Sequence, residues 1–131
     1  MILDSSALVA ILKVESEAAA FLKQIELTAA PKISAVNFVE TAVVIDGRRS
    51  PDASRELDEL LRRAGVAVVA VDETQARVAR KAYRDFGKGS GHKARLNFGD
   101  CFAYALAKVT GEPLLYKGQD FTHTDVKSAL K

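Results

Sequence analysis

Val66-Ala67-Val68-Val69-Ala70-Val71 is the stretch that decides the fold class. Valines and alanines leave it no polar face, the character of a strand buried on both sides inside a parallel sheet. An interior strand is therefore expected. Gly65 stops whatever precedes it, and Asp72-Glu73-Thr74 caps whatever follows. Upstream, Pro51 and Asp52 open a helix that is amphipathic through Leu57, Leu60 and Leu61. Downstream, a basic helix runs to about Phe86. Helix, strand, helix is the local grammar.

The rest of the chain repeats it. Met1-Ile2-Leu3 is a short apolar strand, followed by the cap residues Asp4-Ser5-Ser6 and a helix over Ala7–Leu12. Glu15–Ile25 places Ala18, Phe21, Leu22 and Ile25 at helical spacing. Pro31 breaks that pattern before a short strand at Lys32-Ile33-Ser34. Ala35–Ile45 is apolar almost all round, which predicts a buried helix closed by Gly47 and Arg48-Arg49. Gly87–Gly91 reads as a flexible basic loop, and Phe98–Val109 as a helix entered through Gly99-Asp100. Pro113–Tyr116 is a last strand, ahead of Lys117-Gly118-Gln119-Asp120 and a short polar tail. This alternation predicts an α/β fold: a small central parallel sheet flanked by helices on both faces.

Length and composition fit one domain spanning 1–131. The chain has 131 residues, against roughly 150 per domain, and 48% of them are hydrophobic and 27% charged. Disordered and fibrous classes are thereby excluded. Nineteen basic against seventeen acidic side chains give a formal net charge of +2. That total is too small to imply a nucleic-acid partner; only its distribution could. Cys101 is a lone cysteine without an internal disulfide partner, expected to be a small buried hydrophobe. The longest apolar runs fall short of the roughly 18 residues of a membrane span. No cationic stretch precedes the first of them and Asp4 interrupts it, so no signal peptide is expected and the cytoplasm is the default location.

Four acids carry the functional signal. Asp4 follows the first strand and Asp120 the last, so both should open onto the edge where ligands of parallel α/β sheets bind. Asp100, at a helix start, would face the same rim. Glu40 stands among Val36, Val43 and Val44, and neither Lys32 nor Arg48 lies within a helical turn of it. A carboxylate so placed loses hydration unless something pairs it, and a bound metal ion is the economical candidate. Each acid also has a plainer use: Asp4 and Asp100 as helix caps, Asp120 as a turn residue beside Gly118, Glu40 as a break in the apolar surface. Crowded carboxylates repel one another, and hard divalent ions relieve that repulsion.

These residues also resemble a known family. Ile2-Leu3-Asp4-Ser5-Ser6-Ala7-Leu8 looks like the opening of a PIN domain. Glu40 in its apolar helix, Asn97-Phe98-Gly99-Asp100-Cys101-Phe102-Ala103-Tyr104-Ala105-Leu106-Ala107 and Leu114-Leu115-Tyr116-Lys117-Gly118-Gln119-Asp120-Phe121 continue the likeness. Together they are similar to the toxin ribonucleases of VapBC toxin–antitoxin pairs, over the whole chain and in order. The resemblance implies a PIN-like fold and Mg²⁺- or Mn²⁺-dependent RNA cleavage by Asp4, Glu40, Asp100 and Asp120. Ser6 matches the hydroxyl that supports the first Asp, and Asp125 could share or replace the role of Asp120. The resemblance further implies a homodimer, silenced by an antitoxin whose C-terminal segment packs over the site.

The chemistry expected of that set assigns Asp4 and Asp100 as primary metal ligands. Glu40 and Asp120 serve as second ligands or water-positioning bases, with Ser6 orienting a carboxylate. Arg77, Arg80, Lys81, Arg84, Lys88, Lys93 and Arg95, opposed mainly by Asp85, supply either a solvated face or contacts to an RNA backbone. Gly87–Gly91 follows a helix rather than a strand, so it is no dinucleotide or Walker loop. His92 and His123 lack metal-ligand spacing and should be exposed, and nothing marks Cys101 as a nucleophile. Two rival readings exist. One is a response-regulator-like receiver with Asp72 as phosphoacceptor; the other is a non-catalytic module binding a metal or a peptide.

Overall fold

The sheet is organised around its first strand. In the computed structural model, which describes residues 1–130, Ile2–Leu3 (β1) pairs with Leu114–Leu115 (β4) on one side and Lys32–Ser34 (β2) on the other. Ala67–Val69 (β3) adds to β2, giving the all-parallel order β3-β2-β1-β4. Between the strands run α1 (Ser5–Leu12), α2 (Ala18–Glu26), α3 (Ala35–Asp46), α4 (Pro51–Ala64), α5 (Glu73–Phe86) and α6 (Phe98–Thr110). A 3₁₀ turn at Asp120–His123 follows β4. None of these helices is long and apolar enough to cross a membrane.

Two residues suffice for β1 and for β4 because every side chain on them is buried. Successive residues point to opposite faces. Ile2 and Leu114 join the core beneath α5 and α6, whereas Leu3 and Leu115 join the one beneath α1 and α2. The sheet is thus covered on both faces, as expected. The order reverses between β1 and β4, and the crevice beyond their carboxyl ends is where such sheets bind ligands.

Several expectations need correction. β3 is an edge strand rather than an interior one, and Val68 is 48% exposed. A two-sided apolar run reads the same whether its second side meets protein or water. Likewise α3 is not buried all round. Val39, Val43 and Val44 are exposed, while the polar Asn37 and Thr41 are fully buried. Those two find partners inside: the Thr41 hydroxyl donates to the Asn37 carbonyl at 2.8 Å, and the Asn37 amide to the Gly99 carbonyl at 2.9 Å. α2 begins at Ala18, later than the expected Glu15, because a turn with Val14 at φ 54° separates it from α1.

The Gly87–Gly91 loop is tied down rather than loose. Lys88 N donates to the Leu96 carbonyl at 2.8 Å, Leu96 N to the Phe86 carbonyl at 2.9 Å, and the Tyr83 hydroxyl to the Lys88 carbonyl at 3.1 Å. His92, expected to be exposed, is half-buried with its ring edge-on to Phe86. The tail is no free end either, since Leu114 N donates to the Lys127 carbonyl and Ala129 N to the Leu114 carbonyl.

Candidate active site

Asp4 leaves β1 and caps α1. Its Oδ2 accepts from the Ser6 amide at 3.0 Å and from the Ser6 hydroxyl at 2.5 Å. Its Oδ1 is buried without a partner among the described residues, and Asp4 is only 2% exposed. Burial pushes the carboxyl up to about 6; the Ser6 hydrogen bonds pull against that rise and the charge of Glu40 adds to it.

Asp100 is not the helix cap that its position suggested. Asn97 caps α6, and the two form a reciprocal pair: Asp100 N donates to Asn97 Oδ1 at 2.8 Å, and Asn97 N to Asp100 Oδ2 at 3.0 Å. Burial, with the charges of Asp4, Asp120 and Glu40 adding to it, drives this carboxyl up to about 7 against the Asn97 amide. All three of the other acids therefore act on Asp100. Residues from four separate parts of the chain meet at one rim.

Among the described residues Glu40 is met by hydrogen-bond donors and by no basic side chain. The Ser5 hydroxyl donates to its Oε1 at 2.5 Å and the Asn37 amide at 3.2 Å. The carboxylate lies against Gly99, where a Cβ would collide with it. Glu40 is also only half-buried, so its carboxylate keeps part of its exposure to solvent. Asn37 has no place in the sequence reading, and Ser5 and Gly99 stand there only as a cap residue and a helix entry, not as neighbours of Glu40. The readable signal was Asn37, a polar residue one turn ahead of Glu40 in an otherwise apolar helix.

Asp120 opens the 3₁₀ turn and stays exposed. Asp125 is engaged elsewhere: the Tyr104 hydroxyl donates to it at 2.6 Å and Lys108 at 2.9 Å, which lowers its carboxyl below the usual range. Of the two, Asp120 is the one whose charge reaches Asp100.

Among the described residues no three acids come close enough to form a ready-made ion cage. The donor set nevertheless fits a hard divalent cation. Its groups are all carboxylate oxygens, Asp4 Oδ1 has a vacant lone pair in a buried setting, and Asp100 is under repulsion that a cation would relieve. Mg²⁺ keeps several waters and needs only one or two carboxylates.

Along α5, Arg77 pairs with Glu73 and Arg84 with Asp85. Arg80, Lys81, Lys88, Lys93 and Arg95 are exposed and have no ion-pair partner among the described residues. Asp72 accepts from the Gln75 amide at 2.8 Å as the cap of α5, beyond an edge strand, so the receiver reading loses its phosphoacceptor. Cys101 is buried and its thiol is pushed up to about 11, unsuited to nucleophilic attack.

Comparison with known proteins identifies the family. The PIN domain family model matches residues 1–127. Ribonuclease VapC42 of Mycobacterium tuberculosis is 53% identical over 129 residues, covering 98% of each chain. Ribonuclease VapC28 of the same organism is 52% identical over 130 residues, covering 99% of this chain and 98% of its own. Among solved structures, Mycobacterium tuberculosis VapC20, described as a sarcin-ricin loop cleaving toxin, superposes with TM-score 0.73 at 15% identity and 95% coverage of both chains. FitAcB of Neisseria gonorrhoeae superposes with TM-score 0.68 at 19% identity, over 97% of this chain and 94% of its own. These two establish the fold. The chain belongs to the PIN domain family, among its VapC ribonucleases.

Proposed function

We propose that this ribonuclease toxin is a divalent-metal-dependent endoribonuclease in which Asp4, Glu40, Asp100 and Asp120 form the reaction centre. The observation that carries the reading is the orphaned Asp4 Oδ1, buried at the carboxyl edge of the sheet beside the repelled carboxylate of Asp100. Asp4 and Asp100 would hold the ion, Mg²⁺ or Mn²⁺. Such an ion, when bound, acidifies water and neutralises charge building on phosphoryl oxygens. Ser6 keeps Asp4 in one orientation by donating from both its amide and its hydroxyl. Glu40 and Asp120 orient the attacking water and accept its proton. The unpaired cations of α5 and the loop after it attract the RNA backbone toward an otherwise repellent pocket.

Its partners in this reading are RNA, a VapB-type antitoxin and a second copy of the chain, in the cytoplasm. The exposed Val39, Val43 and Val44 supply an apolar face in support of the homodimer.

The test incubates purified protein with mixed RNA in Mg²⁺ or Mn²⁺, beside an EDTA control and an Asp100→Asn variant. Cleavage should need the metal and fall by orders of magnitude in the folded variant. Equal activity in the variant would expose a contaminating nuclease. Metal binding without RNA turnover would instead favour the non-catalytic module. Expression alone should arrest a bacterial host, and co-expression of the cognate antitoxin should rescue it.

A further inference from the structure

Asn37 is the fully buried polar residue on α3 that faces both Glu40 and the first turn of α6. Its amide nitrogen donates twice, to the Gly99 carbonyl at 2.9 Å and to Glu40 Oε1 at 3.2 Å. Two acceptors on one side fix the orientation of the amide, because a carboxamide turned round would set its oxygen against both. That orientation leaves Asn37 Oδ1 buried without a partner among the described residues. An orphaned acceptor of this kind has a cost, and a purely structural tie between α3 and α6 would not require the second donation to Glu40.

We propose that Asn37 is a positioning residue for the metal centre. It clamps the Glu40 carboxylate against Gly99, so that Glu40 is set toward Asp4 and Asp100 before an ion arrives. Ser5 supports the same oxygen from α1 at 2.5 Å. The clamp spans three elements, α1, α3 and α6, and converts a flexible glutamate into a fixed acceptor. Glutamate is the acid that needs this most, since it has one more rotatable bond than the aspartates at the other positions. The inference rests on the metal-dependent reading above and deepens it.

The experiment measures Mn²⁺ binding without RNA, by electron paramagnetic resonance of the free ion. It compares wild type, Asn37→Ala, Glu40→Gln and the double variant, with thermal unfolding in EDTA as a second readout. Asn37→Ala should weaken Mn²⁺ binding about ten- to hundredfold, the usual effect of losing a residue that orients a ligand. In the Glu40→Gln background the same change should cost little more, because the group it positions has already lost its charge. Should Asn37→Ala fail to fold, Asn37→Ser, which keeps a polar group too short to reach both acceptors, is read in the same way. A lower melting temperature with unchanged Mn²⁺ affinity would reduce Asn37 to a structural tie and overturn the proposal. So would an equal loss of affinity in both backgrounds. Wild type that binds no Mn²⁺ would overturn the metal reading itself, a result distinct from these.

Discussion

The backbone amide of Lys117 donates to the hydroxyl of Ser6 at 3.0 Å, fastening the loop beyond β4 to the first turn of α1. The same hydroxyl donates to Asp4. One small side chain therefore links the acid after the first strand to the loop that carries Asp120, across the point where strand order reverses.

Replacing Ser6 by alanine removes both links. Hydrogen bonds of this kind are worth about 1 kcal/mol each, and more when the acceptor is charged. Ser6→Ala should lose about 1–3 kcal/mol in thermal or urea unfolding, together with much of its RNA cleavage. Ser6→Thr keeps the hydroxyl and should keep most of both. A folded Ser6→Ala protein that cleaves like wild type would deny the hydroxyl any part in the site.

Acidity should control the stability of the metal-free protein. Asp4 and Asp100 have ordinary values of 3.8 but titrate near 6 and 7 in the fold. Between those limits the folded protein binds more protons than the unfolded chain. Stability is therefore fully present below about pH 4 and is lost as pH rises through 6 and 7. Each tenfold gain in proton affinity on folding is worth ~1.4 kcal/mol. Urea denaturation in EDTA from pH 4 to 8 should show the decline, and Mn²⁺ at pH 7.5 should reverse it. A flat profile would contradict the burial of these two carboxylates.

Gly99→Ala separates helix propensity from site geometry. Alanine favours a helix over glycine by about 1 kcal/mol, yet a methyl group here meets the Glu40 carboxylate. The variant should stay folded while cleavage falls about tenfold or more, ~1.4 kcal/mol of transition-state stabilisation. Wild-type turnover would mean that Glu40 moves aside without consequence.

Arg95 occupies a left-handed backbone conformation, φ 54°, two residues ahead of the cap of α6. Such a conformation costs a non-glycine residue about 1 kcal/mol or more, and the exposed side chain has no ion-pair partner among the described residues to offset it. Arg95→Gly relieves the strain and should not lower the melting temperature. RNA binding, measured in the Asp100→Asn background, should weaken, and the salt dependence should flatten by about 0.7 in log–log slope. Unchanged affinity and slope would leave the arginine outside the RNA path.

Much of the architecture is legible in the residues alone. Asp72 before α5, Pro51 at the start of α4 and Gly65 after it are local signals, and each marks an observed boundary. The capping of α6 falls to Asn97 and not to Asp100; asparagine and aspartate are equally good caps, and only the reciprocal bonds tell which is which. Glu40 is recognisable as a carboxylate in apolar company, but its donors are not. Ser5 lies on another helix, and Asn37 resembles any polar residue until its burial is known.

The sequence by itself determined which segments are helix or strand, and which acids stand at their ends. Side-chain periodicity and capping act over one or two turns, so neighbouring residues carry the information. Only the tertiary structure decided that β3 lies at the edge, that valines of α3 face outward and that Glu40 leans on Gly99. Those outcomes depend on which surfaces remain for packing once the chain has folded back on itself, and no local pattern encodes that.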